Sequence, residues 1–160
     1  MQIEARLEAM GIVLPAQPAG LPGVTVRFSR VRVRGNRAYI AGHGPQSADG
    51  SMVLPRGKVG SDLSLEQGYE AARLTGLSIL ASLKRELGDL DRVTAWLRVL
   101  GMVNVAPGFN RTPEVINGFT DLILDLYGED AGAHSRSAVG MAELPNSIPV
   151  EIEAEVEIAP

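Results

Sequence analysis

Two polar side chains stand at the mouths of apolar strands. Arg136 leads into Ala138, Val139 and Met141, and Glu151 opens the last alternating run of the chain. A guanidinium presents a planar fork of N–H donors that grips a carboxylate in two parallel bonds. A carboxylate close to it could orient a water molecule as a general base. The same two residues could instead form an internal salt bridge, or stand separately in solvent. His43 and His134 are the only imidazoles, too few for a histidine metal site; an acidic site of mixed ligands is left open. There is no cysteine, which removes disulfides, thiolate nucleophiles and cysteine-rich zinc sites. HExxH, Walker A and CxxC patterns are also absent. Gly42-His43-Gly44 begins like a dinucleotide fingerprint, but Pro45 and a loop follow where a helix is required. Asn110-Arg111-Thr112 matches a glycosylation sequon by chance. No Ser-His-Asp spacing stands out, although such triads are assembled in space.

The elements that must position these residues are legible from periodicity. Residues 2–10 place Ile3, Leu7 and Met10 at helical spacing before Gly11, and 15–23 read as a Pro/Gly connector. Val24, Val26 and Phe28 alternate with polar residues. The phase then slips, so that Val31 and Val33 alternate with Arg30, Arg32 and Arg34, which predicts a bulge or break near Ser29–Arg30. Gly35-Asn36 makes a hairpin turn into a strand through Ala41. After a long loop over 42–62, Ser64 and Gln67 form a capping box. Ala72, Gly76, Ile79, Leu80, Leu83 and Leu87 then trace a helical stripe ended by Gly88. Gly76 is expected to allow close packing on a sheet. A central strand spans 93–103, with Trp96 and Arg98 on one side. A second helix starts with Thr112 as N-cap and Pro113 at its first position, and Gly128 closes it. Two strands, roughly 136–143 and 149–158, finish the chain. In the last, Val150, Ile152, Ala154, Val156 and Ile158 alternate with four glutamates. Helices between strands imply a mixed α+β sheet with both long helices on one face. The other face carries charge, and Arg30, Arg32 and Arg34 could pair with the glutamate ladder across neighbouring strands.

The chain of 160 residues fits one domain, with 1–23 as an N-terminal helix and connector. At this size folding hides about 70% of the unfolded surface, enough for one core without a staple. Fifteen Lys+Arg against nineteen Asp+Glu give a net charge of −4, so the overall basic footprint of a phosphate-backbone binder is missing. No uncharged apolar run reaches the ~18 residues of a membrane span. Glu4, Arg6 and Glu8 occupy the place where a signal peptide would be apolar. The expectation is a cytoplasmic protein that engages neither membrane nor nucleic acid.

The C-terminal run HSRSAVGMAELPNSIPVEIEAEVEI resembles the signature of the RidA/YjgF family, also labelled endoribonuclease L-PSP. There an R-S-x-V segment leads to an LP dipeptide and then to V-E-I-E-A. Gly35-Asn36 with Tyr39-Ile40-Ala41-Gly42 and Pro45 is similar to the family's G-N-x-x-(aromatic)-V-S-G-Q-x-P strand, and Ile116-Asn117 to its V-N. The matches run in order from about Val24 to Ile158. The longer N-terminus and the GKVG-SDLS-EQGYEAAR stretch resemble a longer-chain branch. The resemblance implies a chorismate-mutase-like fold, a homotrimer with clefts between subunits, and cofactor-independent hydrolysis of reactive enamines and imines such as 2-aminoacrylate. Carried over by position, Arg136 would clamp the substrate carboxylate, Glu151 would hold the attacking water, and Asn117 would line the pocket. Phe28 stands where deaminases usually carry tyrosine, Ala41 replaces a serine, His43 a glutamine and Ala138 a cysteine. These four would still line the site, and His43 could act as a new proton donor at its rim or be a loop histidine without a role.

Three readings follow. The first is an imine/enamine hydrolase built on Arg136 and Glu151. The second is a non-catalytic binder of small carboxylate metabolites, for which Phe28 and Ala41 would mark lost chemistry. The third is a ribonuclease or translation inhibitor. Its support is a local arginine cluster over 27–37, against an acidic chain with 4% aromatics and so few stacking rings.

Overall fold

The computed structural model describes residues 2–19, 22–53 and 55–160. Its main elements in chain order are α1 (Gln2–Ala9), β1 (Val31–Arg34), β2 (Arg37–His43), α2 (Leu65–Leu87), β3 (Val93–Asn104), α3 (Thr112–Gly132), β4 (Ser135–Met141) and β5 (Val150–Ile158). The strands form one five-stranded sheet in the order β1-β2-β5-β3-β4. β3 and β4 run parallel, because α3 carries the chain back over the sheet between them. The other neighbouring pairs are antiparallel.

Local chemistry sets the ends of these elements. Ser64 accepts from the Gln67 amide while the Gln67 side chain accepts from the Ser64 amide, and Gly88 ends α2 in the left-handed conformation. Gly35 takes φ 58° at the first central position of the β1–β2 turn, as a primed hairpin turn requires. Gly128, at φ 75°, interrupts α3 and leaves a last short turn to Gly132. The alternation read in β5 is realised throughout: Val150, Ile152, Ala154, Val156 and Ile158 are buried under the helices, and Glu151, Glu153, Glu155 and Glu157 lie half-exposed on the far face.

α2 and α3 cross at glycines. A Cβ on Gly118 would stand 2.0 Å from the Tyr69 carbonyl oxygen, and one on Gly76 would stand 2.9 Å from Leu122 Cδ2. Gly76 therefore faces the neighbouring helix, not the sheet as its stripe implied. Below the crossing, Trp96 of β3 packs edge-on against Phe119 and Tyr127 of α3 at ring-centre distances of 5.6 and 5.8 Å.

Four further expectations are corrected. Residues 24–29 form no strand; β1 begins at Val31, and Val24, Val26 and Phe28 are exposed. The hairpin partner runs out here: Ala41 donates the last bond to the Arg30 carbonyl, β2 then slips register against β5, and Pro45 has no N–H to offer. Trp96 and Arg98 do not share a side. A register shift between them leaves Trp96 1% exposed in the core and turns Arg98 onto the face of Glu155. Arg32 and Arg34 cannot pair with the glutamate ladder, since β2 lies between β1 and β5; the arginine that does is Arg37, 2.6 Å from Glu155. Finally, Arg111 rather than Thr112 is the N-cap of α3, without a side-chain bond, because the Thr112 hydroxyl donates to the Ala138 carbonyl at 3.0 Å. This bond ties the start of α3 to β4.

Candidate functional site

Glu151 opens β5 on the face away from the helices. Gly42 passes so close that a Cβ there would stand 3.0 Å from the Glu151 carboxyl. Glu151 makes no hydrogen bond or ion pair among the described residues. Burial, and then the Glu153 charge, push its pKa above the usual carboxylate value. It lines an open cleft of ≈ 780 Å³ whose walls come from the Gly42–Gln46 segment, the 145–148 turn, and the arginines Arg30 and Arg56. A carboxyl group with a raised pKa at the side of a cleft suits proton transfer.

Arg136 occupies the second position of the edge strand β4 and reaches toward α3. Its Nη1 donates to Thr120 Oγ1 at 2.9 Å and its Nη2 to the Pro113 carbonyl at 3.1 Å. Neither acceptor is charged, so the guanidinium is anchored but not neutralised. Burial lowers its pKa, with the Asp121 charge opposing; an arginine remains cationic regardless. Asn117 lies one helical turn before Thr120 and is half-buried, and Ala138 is two residues on from Arg136 on the same side of β4. These three form one group.

Behind Arg136, His134 donates from Nδ1 to the Gly132 carbonyl at 2.7 Å, leaving Nε2 to accept from the Thr120 hydroxyl at 3.1 Å. Burial, aided by the Arg136 charge, lowers the His134 pKa. Thr120 is thus held between imidazole and guanidinium. His43 is built likewise. Its Nδ1 donates to the Ala41 carbonyl at 2.6 Å, its Nε2 accepts from Ser82 Oγ at 2.9 Å, and Ser82 Oγ accepts from Arg85 at 3.0 Å. At 3% exposure, with Arg30 and Arg85 nearby, burial brings its pKa down to about 4. His43 is a neutral wall residue at the end of β2, neither a loop histidine nor a store of protons at neutral pH. Ala41 is half-buried beside it, and Phe28 is 62% exposed outside the cleft wall.

The sequence-predicted residues therefore fall into two groups. Arg136, Asn117 and Ala138 gather at the β4 edge on the helix side; Glu151 and His43 line the cleft by the β2–β5 junction, and Ala41 meets His43 through its carbonyl. Arg136 and Glu151 form no salt bridge, since β3 separates their strands and they leave the sheet on opposite faces. Sequence reasoning missed Thr120, Ser82, Arg30 and Arg56 as neighbours of these groups. Ser82 meets His43 across 39 residues and Thr120 meets Arg136 across 16, distances at which no local pattern signals contact. Glu4, Asp89 and Asp91 form an acidic cluster at the opposite end of the fold. There Asp91 accepts from the first amides of α1, a capping arrangement.

A five-stranded mixed sheet backed by two helices is an α+β architecture of the chorismate-mutase-like kind. The family model described as "YjgF/chorismate_mutase-like, putative endoribonuclease" matches residues 4–150, and the chain belongs to that family. It is 34% identical over 157 residues to Protein TCP17 of Trypanosoma cruzi, covering 98% of this chain and 94% of that protein. Among solved structures, Atu1372 of Agrobacterium tumefaciens is similar with TM-score 0.87 and 36% identity, over 98% of this chain and 92% of that one. A Shewanella oneidensis structure is similar with TM-score 0.89 and 30% identity, over 99% and 100%. Escherichia coli TdcF, solved with bound serine, shares the fold at TM-score 0.60 and 18% identity, over 92% and 98%. No helix among the described residues is long and apolar enough to cross a membrane.

Proposed function

We propose that the protein hydrolyses small enamine and imine carboxylates of the 2-aminoacrylate type to 2-keto acid and ammonia, at a site completed between subunits of a homotrimer. The observation that carries this reading is the division of the site. A carboxyl group without a hydrogen-bond partner among the described residues sits in an open cleft, and a guanidinium without an ion pair among them stands on the opposite side of the same sheet. Neither half is complete alone, and a neighbouring copy can supply the other.

Arg136 of one subunit grips the substrate carboxylate, with Asn117 and Ala138 beside it. Glu151 of the next subunit faces C2. In its protonated form the Glu151 carboxyl gives a proton to C3 of an enamine, yielding the iminium ion. As carboxylate it takes a proton from water while the oxygen attacks C2, then passes that proton to nitrogen. Ammonia leaves as the C2–O double bond forms and the hydroxyl proton returns to the Glu151 carboxylate. Each step needs only positioned groups and a carboxyl able to hold and release a proton.

Freshly generated 2-iminopropanoate, followed by loss of imine absorbance, tests the reading. Wild type should accelerate decay over buffer, and Arg136→Ala and Glu151→Gln should each lose at least about a hundredfold in kcat/KM. On the acid side kcat/KM should fall with an inflection above 4.5, where Glu151 takes up its proton. Decay no faster than buffer, or an Arg136→Ala variant as fast as wild type, contradicts it. One feature favours a second reading as a non-catalytic carboxylate binder: Phe28, Ala41 and Ala138 bring no hydroxyl or thiol to the site. Such a binder would show ligand-dependent rises in melting temperature with keto acids and no turnover.

A further inference from the structure

The cleft beside Glu151 is larger than a three-carbon imine needs, and two arginines, Arg30 and Arg56, line it. Arg56 donates from Nη1 to the Asn146 carbonyl at 3.2 Å and contacts the Met52 sulfur at 3.5 Å. Both partners are neutral, so its charge is positioned and makes no ion pair among the described residues. Asn146 and its neighbour Ser147 hold φ 55° and 58°, a left-handed conformation that costs non-glycine residues energy. The turn that carries this strain is the one that orients Arg56. Arg30 is half-buried at the same cleft, with no carboxylate partner among the described residues, and its charge acts on Arg85 and His43. Two carboxylates share the cleft. Asp49 already accepts from the Ser51 amide and hydroxyl at 2.9 and 2.6 Å, and Glu151 belongs to the reacting end. Two guanidiniums without an ion-pair partner among the described residues line one cleft, and each offers the donor fork that a compact oxyanion accepts from.

We propose that Arg30 and Arg56 bind a second anionic group of the substrate, so that the preferred imines are those of dicarboxylic 2-amino acids. The inference rests on the hydrolase reading for the placement of C2 at Glu151, and deepens it by naming the substrate class. The first carboxylate is held by Arg136 of the adjoining subunit, C2 faces Glu151, and the side-chain carboxylate extends along the cleft to Arg30 and Arg56. A monocarboxylic imine would leave that end unfilled. A site built to pair a charged group discriminates against an analogue that lacks it.

The test compares 2-iminoglutarate and 2-iminosuccinate with 2-iminopropanoate, each generated in place by an amino-acid oxidase. Thermal shifts with 2-oxoglutarate and pyruvate report binding separately. Wild type should prefer a dicarboxylic imine by roughly tenfold or more in kcat/KM. In Arg56→Gln, and separately in Arg30→Gln, that ratio should fall toward one, chiefly through KM. 2-Oxoglutarate should raise the melting temperature more than pyruvate, and the difference should vanish in the same variants. If no imine is hydrolysed but the 2-oxoglutarate preference holds and depends on Arg30 and Arg56, the hydrolase reading fails and the dianion site stands. If 2-iminopropanoate is hydrolysed as well as the dicarboxylic imines, the hydrolase reading stands and the dianion site is overturned. Inorganic phosphate raising the melting temperature through Arg56, with no dicarboxylate preference, likewise overturns it in favour of a free-anion site.

Discussion

His43 and His134 share one construction: a backbone carbonyl fixes Nδ1–H, a hydroxyl faces Nε2, and an arginine donates to that hydroxyl. Protonating either ring would turn Nε2 from acceptor to donor and add a cation next to a guanidinium. For His43 the consequence is measurable. Its folded pKa of about 4 lies below the ordinary 6.5, so the unfolded chain binds the proton first. Stability from this group is complete above pH 6.5 and is lost as pH falls toward 4, by at most about 3 kcal/mol. Urea unfolding at pH 7 and pH 4.5 should show wild type losing more stability than His43→Gln; equal losses would disprove the assignment. At this scale the place of Arg136 and Glu151 at the start of apolar strands makes them candidates, and the family resemblance alone gives them roles. Ser82, Thr120, Arg30 and Arg56 were not, because what matters about them is a contact between distant segments.

Among the elements, the helix crossing is the least forgiving joint. A methyl on Gly118 would collide with the backbone of α2, which cannot move without displacing the whole helix. Gly118→Ala should cost about 3 kcal/mol or more. Gly76→Ala meets the end of Leu122 and, at 3.1 Å, the Phe119 ring, side chains rather than backbone, and an alanine's helix propensity returns about 1 kcal/mol. Its net effect should be far smaller, and denaturant midpoints for the two variants compare them directly. A loss at Gly76 equal to that at Gly118 would mean the crossing is packed differently. The helices and β5 were legible because caps, stripes and strict alternation are local signals. The bulge that separates Trp96 from Arg98 and the failure of 24–29 to pair were not. Both depend on what the neighbouring strand does, and one residue of slip reverses every side chain after it.

For the whole molecule, the sheet sets the logic. β4 and the β2–β5 junction lie on either side of β3, and the two halves of the candidate site leave the sheet in opposite directions. Residues 24–28 and Tyr39 add exposed apolar surface on the β1–β2 side, with Phe28 at 62% and Tyr39 at 45% exposure, an area suited to cover by a second copy. Element order gave the α+β class and the one-sided helix layer, yet no property of a single chain's sequence pattern says that a site is shared between chains. That division can be tested by mixing chains. Arg136→Ala and Glu151→Gln subunits, each inactive alone, should regain about a quarter of wild-type 2-iminopropanoate hydrolysis when refolded together into mixed trimers, because randomly mixed interfaces pair an intact Arg136 with an intact Glu151 at that frequency. Mixed trimers, verified by mass, that stay as inactive as either parent would contradict a site built across the subunit boundary.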